Sequence, residues 1–521
     1  MQSSRTLFRI ALTLLLFSLP LAAQLPPPAV LIKNVTLFDG TGKPPQTGVS
    51  ILVDNGRIKA IGAAVDAPAR AQVIDGTGKY VVPGLFDARV QLSSSPANRI
   101  LRAEVGEEQR VAWMHSLVAA GVTSARLIQG DLVEQRYFQH WTTLDLLNAP
   151  HLIAAGPTFT AVDGIPADQY PVLARMVKER EVYEIKDVDQ AREKARVVAH
   201  NGGEAFEIVY DSGPAARPAP RLSDDVLKLI ITEAHGHDLK VFVWVSYNEE
   251  ALTAIAAGAD VIEGISEEVV SDAVLAEMAA KKVAFLPSLA SQGDLVTLIQ
   301  PEAMKTYLAD PLVARSLSPV MKKSLASEKG ALPQMRLVLD ERMITRADME
   351  AAQADAKKAE EAAKKAAETR QKSKGGDGKK EAVAPAPPAP REPTGERIGT
   401  LLEKQQERAE QNVKRALAAG IPIVTGSGAG NPLIFAGPGL HRELALLVKA
   451  GMTPIQAITA ATRNTAASMG KDADSGTIET GKLGDLVLLD ADPLADIGNL
   501  AKINTVLRGG RKITPDEPDI Y

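Results

Sequence analysis

Seven histidines, His115, His140, His151, His200, His235, His237 and His441, are the side chains best suited to proton transfer or metal ligation in this sequence. Cysteine is absent, which removes disulfides, thiolate metal sites and cysteine nucleophiles. His235 and His237 stand two apart at the end of a helical pattern, so they do not share a face, and packing or surface roles fit them better than ligation. The glycine-rich run Thr425 to Gly430 suggests a phosphate loop, but no Lys-Ser/Thr follows it, so that signal is weak. Ser427 within it would need a base, and the sequence names none. Asp490 and Asp492 fall in a late strand and its turn and read as structural. Arg126, at the end of a short apolar strand, and Asp211, just past another, are better placed to line a pocket.

The elements that must position these residues change character along the chain. Val30 to Leu37, Val49 to Val53, Arg57 to Ile61 and Gln72 to Ile74 read as strands, with the hairpin turn Asp54-Asn55-Gly56 between two of them. They predict a small antiparallel sheet without helices. From Tyr80 the pattern alternates short apolar strands with longer amphipathic stretches. Strands are expected at Leu85–Val90, Thr123–Ile128, Leu152–Ala155, Ala205–Tyr210, Lys240–Val245, Val261–Glu263, Val283–Leu286 and Ile421–Thr425. Eight such units imply a parallel sheet with right-handed crossovers, most simply closed as a (β/α)8 TIM-like barrel. Between them, Ser223 to Ala234 carries Val226, Leu227, Leu229 and Ile230 at helical spacing, with Asp224 and Asp225 in its first turn. A charged, Ala-rich then Pro-rich segment over 349–397 interrupts the pattern and reads as a solvated insertion. Helices around Glu443–Ala450 and Pro454–Met469 precede a return to strands at 484–490 and 503–507.

The chain has 521 residues, 45% hydrophobic and 24% charged, with a formal net charge of −5. That balance fits a globular chain with a large core and carries no basic footprint for nucleic acid. Arg5 and Arg9, the apolar run Ile10 to Leu19 and the small residues Ala22-Ala23 form a signal-peptide pattern over 1–23. The run is short for a membrane span, and no lipobox cysteine follows. The expectation is therefore a periplasmic or secreted protein with no membrane attachment after cleavage, the alternative being an uncleaved N-terminal anchor.

Val81-Val82-Pro83-Gly84-Leu85-Phe86-Asp87-Ala88 resembles the entry to the first barrel strand of the amidohydrolase superfamily, in its imidazolonepropionase-like and Xaa-Pro-dipeptidase-like branch. Gly451-Met452-Thr453-Pro454, Ala460-Ala461-Thr462-Arg463-Asn464, and Gly476 to Val487 with Asp490-Ala491-Asp492-Pro493-Leu494 resemble its closing segments. The resemblance implies a barrel over 81–470 and a small composite β-sandwich formed by 29–80 with 474–513. It also implies zinc or another divalent metal at the C-terminal mouth of the barrel, where metal-bound water attacks a carbonyl. The family's ligands are His-x-His ending strand one, a Lys on strand four, a His on each of strands five and six, and an Asp after strand eight. The matching positions here are Arg89, Gln91, Glu207, Trp244, Gly264 and Gly428. Of these only Glu207 ligates metals well, and Arg89 would repel a cation. No cofactor is expected. Arg89 and Glu207 are expected to pair across the mouth, with Trp244 filling vacated space; the plainer alternative is that both face water. His441, by resemblance, would lie near the same mouth.

Two functions stay open. One is a metal-free, inactive pseudo-amidohydrolase that binds a small molecule, forms a homo-oligomer or pairs with an intact paralogue. The other is a hydrolase of non-peptide C–N bonds or dipeptide-like amides that uses a non-standard site.

Overall fold

A computed structural model describes residues 27–92, 107–170, 175–214, 218–292, 301–326, 395–431 and 433–513. The signal-peptide pattern at 1–23, and all but the last three residues of the 349–397 segment, lie outside the described residues.

The chain opens with β1 (Val30–Leu37), β2 (Gln46–Asp54), β3 (Arg57–Gly62), β4 (Gln72–Asp75) and β5 (Tyr80–Pro83). Asn55 and Gly56 both take positive φ, 51° and 77°, which is what a tight hairpin between right-twisted strands requires. β1, β2 and β3 run antiparallel as expected. β4 and β5, however, lie parallel to β1, so the small sheet is mixed rather than antiparallel. The two follow one another along β1, β4 against Val30 to Lys33 and β5 against Thr36 and Leu37, so only the segment between β3 and β4 has to bring the chain back. From the far end of the chain come β15 (Leu486–Leu489), β16 (Ile503–Arg508) and β17 (Arg511–Ile513). β15 pairs antiparallel with β5, Val487 opposite Val82, and completes one eight-stranded sheet around Ile32, Val53, Val81, Leu488 and Leu507.

The middle of the chain builds parallel sheets. β6 (Leu85–Val90), β7 (Val122–Leu127) and β8 (His151–Ala154) form one. β9 (Thr158–Ala161), β10 (Val182–Ile185), β11 (Ala205–Val209), β12 (Lys240–Val245), β13 (Val261–Gly264) and β14 (Ala284–Leu286) form another, in the order β10-β9-β11-β12-β13-β14. Seven of the expected strands appear within a residue or two. β9 and β10 were not anticipated, because each is only four residues long and lacks a clear pattern. The expected strand at 421–425 is reduced to an isolated bridge between Ile423 and Phe285. Pro422 has no N–H to give, and glycines follow at 426, 428 and 430, which weakens a ladder there. That segment still hydrogen-bonds to β6, with Ala88 N–H meeting the Thr425 carbonyl at 2.9 Å and Gly428 N–H the Arg89 carbonyl at 2.9 Å.

Helices separate the strands, among them Asp224–His235, capped by the Ser223 hydroxyl. Parallel strands with intervening helices fit a TIM-like barrel. Phe86, Ala205, Phe242, Val261, Ala284, Leu286 and Val424 form one apolar cluster. Two residues further along three of these strands, on the same face by the strand's period of two, stand Glu207, Trp244 and Glu263. Among the described residues no helix is long and apolar enough to cross a membrane.

Candidate functional site at the strand ends

Two arginines and two glutamates meet where β6, β7, β11 and β13 end. Arg126, on β7, has a side chain with no solvent exposure, and Glu207 and Glu263 are 1% and 0% exposed. A charge that deep must be paired or it costs several kcal/mol. Arg126 Nη1 donates to Glu207 at 2.8 Å, Nη2 donates to Glu263, and Nε donates to the Ala88 carbonyl at 2.6 Å. Its guanidinium also lies 3.6 Å over the Phe242 ring, an apolar floor that a planar cation tolerates well.

Arg89 closes the top of this arrangement. Its Nη1 donates to the second oxygen of Glu263 at 3.1 Å, and its guanidinium lies 4.2 Å over Trp244. The expected Arg89–Glu207 contact exists only as a longer ion pair of 3.9 Å, not as a bidentate hydrogen bond. Arg126 sits deeper and bonds both carboxylates, leaving Arg89 the second oxygen of Glu263. Burial pushes the Glu263 carboxyl upward and the neighbouring Glu207 adds to the push, while Arg126 and Arg89 pull it back.

The other expected positions fall around this quartet. Trp244 is held from behind by Asp211, which accepts its indole N–H at 3.2 Å and the Ser246 hydroxyl at 2.9 Å. Burial, with Glu250 nearby, raises the Asp211 carboxyl to about 6. Asp211 thus positions Trp244. Gln91 is buried, with its backbone N–H on the Ala429 carbonyl and its own carbonyl pressed against Gly430. Gly428 packs on Ser291. His441 is not brought to the quartet: its Nε2 lies 2.8 Å from the carbonyl of Ala120, on the side where β7 begins. A carbonyl only accepts, so this nitrogen carries the proton, and burial lowers the imidazole's pKa.

The inward side chain on β13 is that of Glu263, while Gly264 turns the backbone at φ 95°. A Cβ on Gly264 would meet the Val245 carbonyl at 2.6 Å and the Trp244 ring at 3.3 Å. Gly264→Ala is therefore expected to lose about 1–3 kcal/mol in a urea melt and to shift tryptophan emission, because strain and overpacking coincide. An unchanged melt and spectrum would mean that the backbone there relaxes freely.

Ser427 does have a carboxylate partner that the sequence did not reveal. Its hydroxyl and backbone N–H both reach Asp87, at 2.5 and 2.9 Å. Burial raises Asp87 to about 6. Both side chains have no solvent exposure, so the pair ties β6 to the 421–430 segment.

A divalent metal at these strand ends needs three or four converging donors. Here two carboxylates converge, and guanidinium groups already bind both. Among the described residues, no group of three or more His, Cys, Asp or Glu side chains is arranged to hold a metal ion. The quartet does not fit a divalent cation, since a third positive charge would enter beside two.

With this geometry in hand, comparison with known proteins places the chain. Residues 80–513 match the amidohydrolase family. The chain belongs to that family. Among solved amidohydrolases and their relatives, a Xaa-Pro dipeptidase with bound methionine superposes with a TM-score of 0.66 at 18% identity, covering 93% of this chain and 99% of that one. Molinate hydrolase gives 0.66 at 17% identity, covering 94% and 96%, and A. niger ochratoxinase gives 0.64 at 16%, covering 94% and 97%. Identities this low speak for the fold alone. A dihydroorotase from Trichlorobacter lovleyi is 33% identical over 95 residues, 18% of this chain and 21% of that protein. An imidazolonepropionase from Idiomarina loihiensis is 38% identical over 63 residues, 12% and 15% respectively. The matched stretches thus span about a fifth or less of these curated relatives.

Proposed function

We propose that this amidohydrolase-family protein is a metal-free barrel that binds a small molecule or pairs with a homologous subunit, in place of metal-assisted hydrolysis. The observation that carries this reading is Arg126, fully buried and hydrogen-bonded to both carboxylates at the strand ends. Its guanidinium supplies the positive charge that a metal would supply in an active relative, but it has no open coordination position and cannot bind and acidify water. The reading takes the parallel strands to close as a barrel, the terminal strands to form a composite sandwich, and the chain to be exported. A ligand at the mouth would meet Arg89 and the face of Trp244.

Hydrolysis of amide or other C–N bonds is the competing reading, favoured by the hydrolases among the structural neighbours. Elemental analysis separates the two. Protein expressed with zinc, manganese and iron available is expected to carry less than about a tenth of an equivalent of any of them. A reproducible stoichiometry of about one or more, with chelator-sensitive turnover of dipeptides or N-acyl amino acids, would overturn the proposal.

A further inference from the structure

A polar cavity lies at the end of the parallel strands opposite the quartet. It encloses about 520 Å³ between the helix Leu132–Thr143, the starts of β8 and β11, and the β16–β17 turn. His151 and Glu204 line it where their strands begin, and Arg508 and Arg511 reach it from the eight-stranded sheet. It shares no residue with the quartet at the strand ends.

Its charges are unevenly matched. Arg508 and Arg511 both hold Asp145, each at 2.6 Å, so two cations share one anion. Glu204 is neutralised separately by Lys471 at 3.0 Å. Arg136 rests on a neutral partner, donating to the Gln139 amide oxygen at 2.8 Å. Asp485 stands behind His151 at 3.2 Å. Among the lining residues Arg136, Arg508 and Arg511 thus stand against Asp145 and Glu204, an excess of one positive charge before either His140 or His151 takes a proton.

The cationic groups are also held in place. Arg508 is 5% exposed and donates to the Ala149 carbonyl at 2.6 Å, so its position is fixed. Arg136 lies flat on Gly202, where a Cβ would come within 2.9 Å of its guanidinium. Preorganised guanidinium groups around a polar cavity favour planar, multiply charged acceptors.

We propose that this cavity binds a small polyanion bearing carboxylate or phosphate groups. The test is isothermal titration of the full chain at low salt with citrate and, separately, with pyrophosphate. At least one is expected to bind saturably with a Kd below about 1 mM, and Arg136→Ala with Arg511→Ala is expected to weaken it about tenfold or more. Arg136→Ala alone, on an exposed helix face, is expected to weaken it in the same direction and guards against a folding defect in the double variant. Citrate alone binding assigns a carboxylate ligand, and pyrophosphate alone a phosphate ligand. No saturable heat with either probe up to about 10 mM would overturn the proposal, since that limit is far weaker than specific recognition. So would binding that survives both variants but is lost in Arg89→Ala, which would move the anion to the opposite end of the barrel. Failure here leaves the metal-free reading standing, because that reading rests on other residues.

Discussion

Arg126→Met is expected to lower stability by about 3–5 kcal/mol, the range for removing one partner of a buried ion pair. For a chain of 521 residues that corresponds to a fall in melting temperature of about 3–5 °C. The loss of packing on Phe242 contributes little, because methionine keeps most of the apolar stem. The dominant effect is that Glu207 and Glu263 are left together with only Arg89 between them. Glu263, already pushed upward by burial and by Glu207, would retain its proton further into the neutral range. A carboxyl whose folded pKa lies above its unfolded value favours the folded state at low pH and loses that advantage as pH rises. The defect should therefore be larger at pH 8 than at pH 5. Adding Glu263→Gln restores neutrality with the Arg89–Glu207 pair, and should recover part of the loss. A double variant no more stable than Arg126→Met would show that unpaired charge is not the cause.

Glu443 gives the second large effect. It lies in the helix Pro438–Lys449, is fully buried, and accepts the backbone N–H groups of Leu289 and Ala290 at 3.0 and 2.6 Å. Burial raises its carboxyl from 4.5 to about 8; the two amides and Arg442 pull down, and Asp87 pushes up. In the folded chain it keeps a proton that the unfolded chain releases, so its contribution is complete below about pH 4.5 and is lost as pH rises towards about 8. The loss is on the order of 3–5 kcal/mol across that window. Asp87 and Asp211, both raised to about 6, act in the same direction. The wild-type melting temperature should fall from pH 5 to pH 8, and Glu443→Gln should flatten the slope while leaving the share due to the two aspartates. The slope is the readout, so any fixed penalty of the amide drops out. Equal slopes in the two proteins would show that Glu443 is ionised throughout.

The strands were legible because each is a short apolar run bounded by turn residues, and β12 has the bounds its sequence predicts. The segment 421–425 was less legible, since its apolar residues promise a strand that Pro422 and the following glycines do not complete. In the site, aligning family positions drew attention to Gly264, one residue past the side chain that points inward. A simpler signal was present. Val261 and Glu263 share a face, and a carboxylate in a four-residue apolar strand requires a cation. Arg126, alone in Thr-Ser-Ala-Arg-Leu-Ile, is the matching cation on another strand. What the sequence could not specify is the pairing. Which arginine takes which glutamate depends on depth within the barrel, a tertiary property that neither strand encodes alone. Asp87 with Ser427 was hidden for the same reason, being 340 positions apart in the chain.

The eight-stranded sheet has a consequence for biogenesis. β5 finds its antiparallel neighbour β15 only after about 400 further residues have been synthesised, a sequence separation that makes folding slow. Until then the emerging chain presents β5 with an open edge, the kind of surface on which nascent polypeptides aggregate. Covering that edge thus waits on the C-terminal strands, and a chain cut short before Leu486 lacks them.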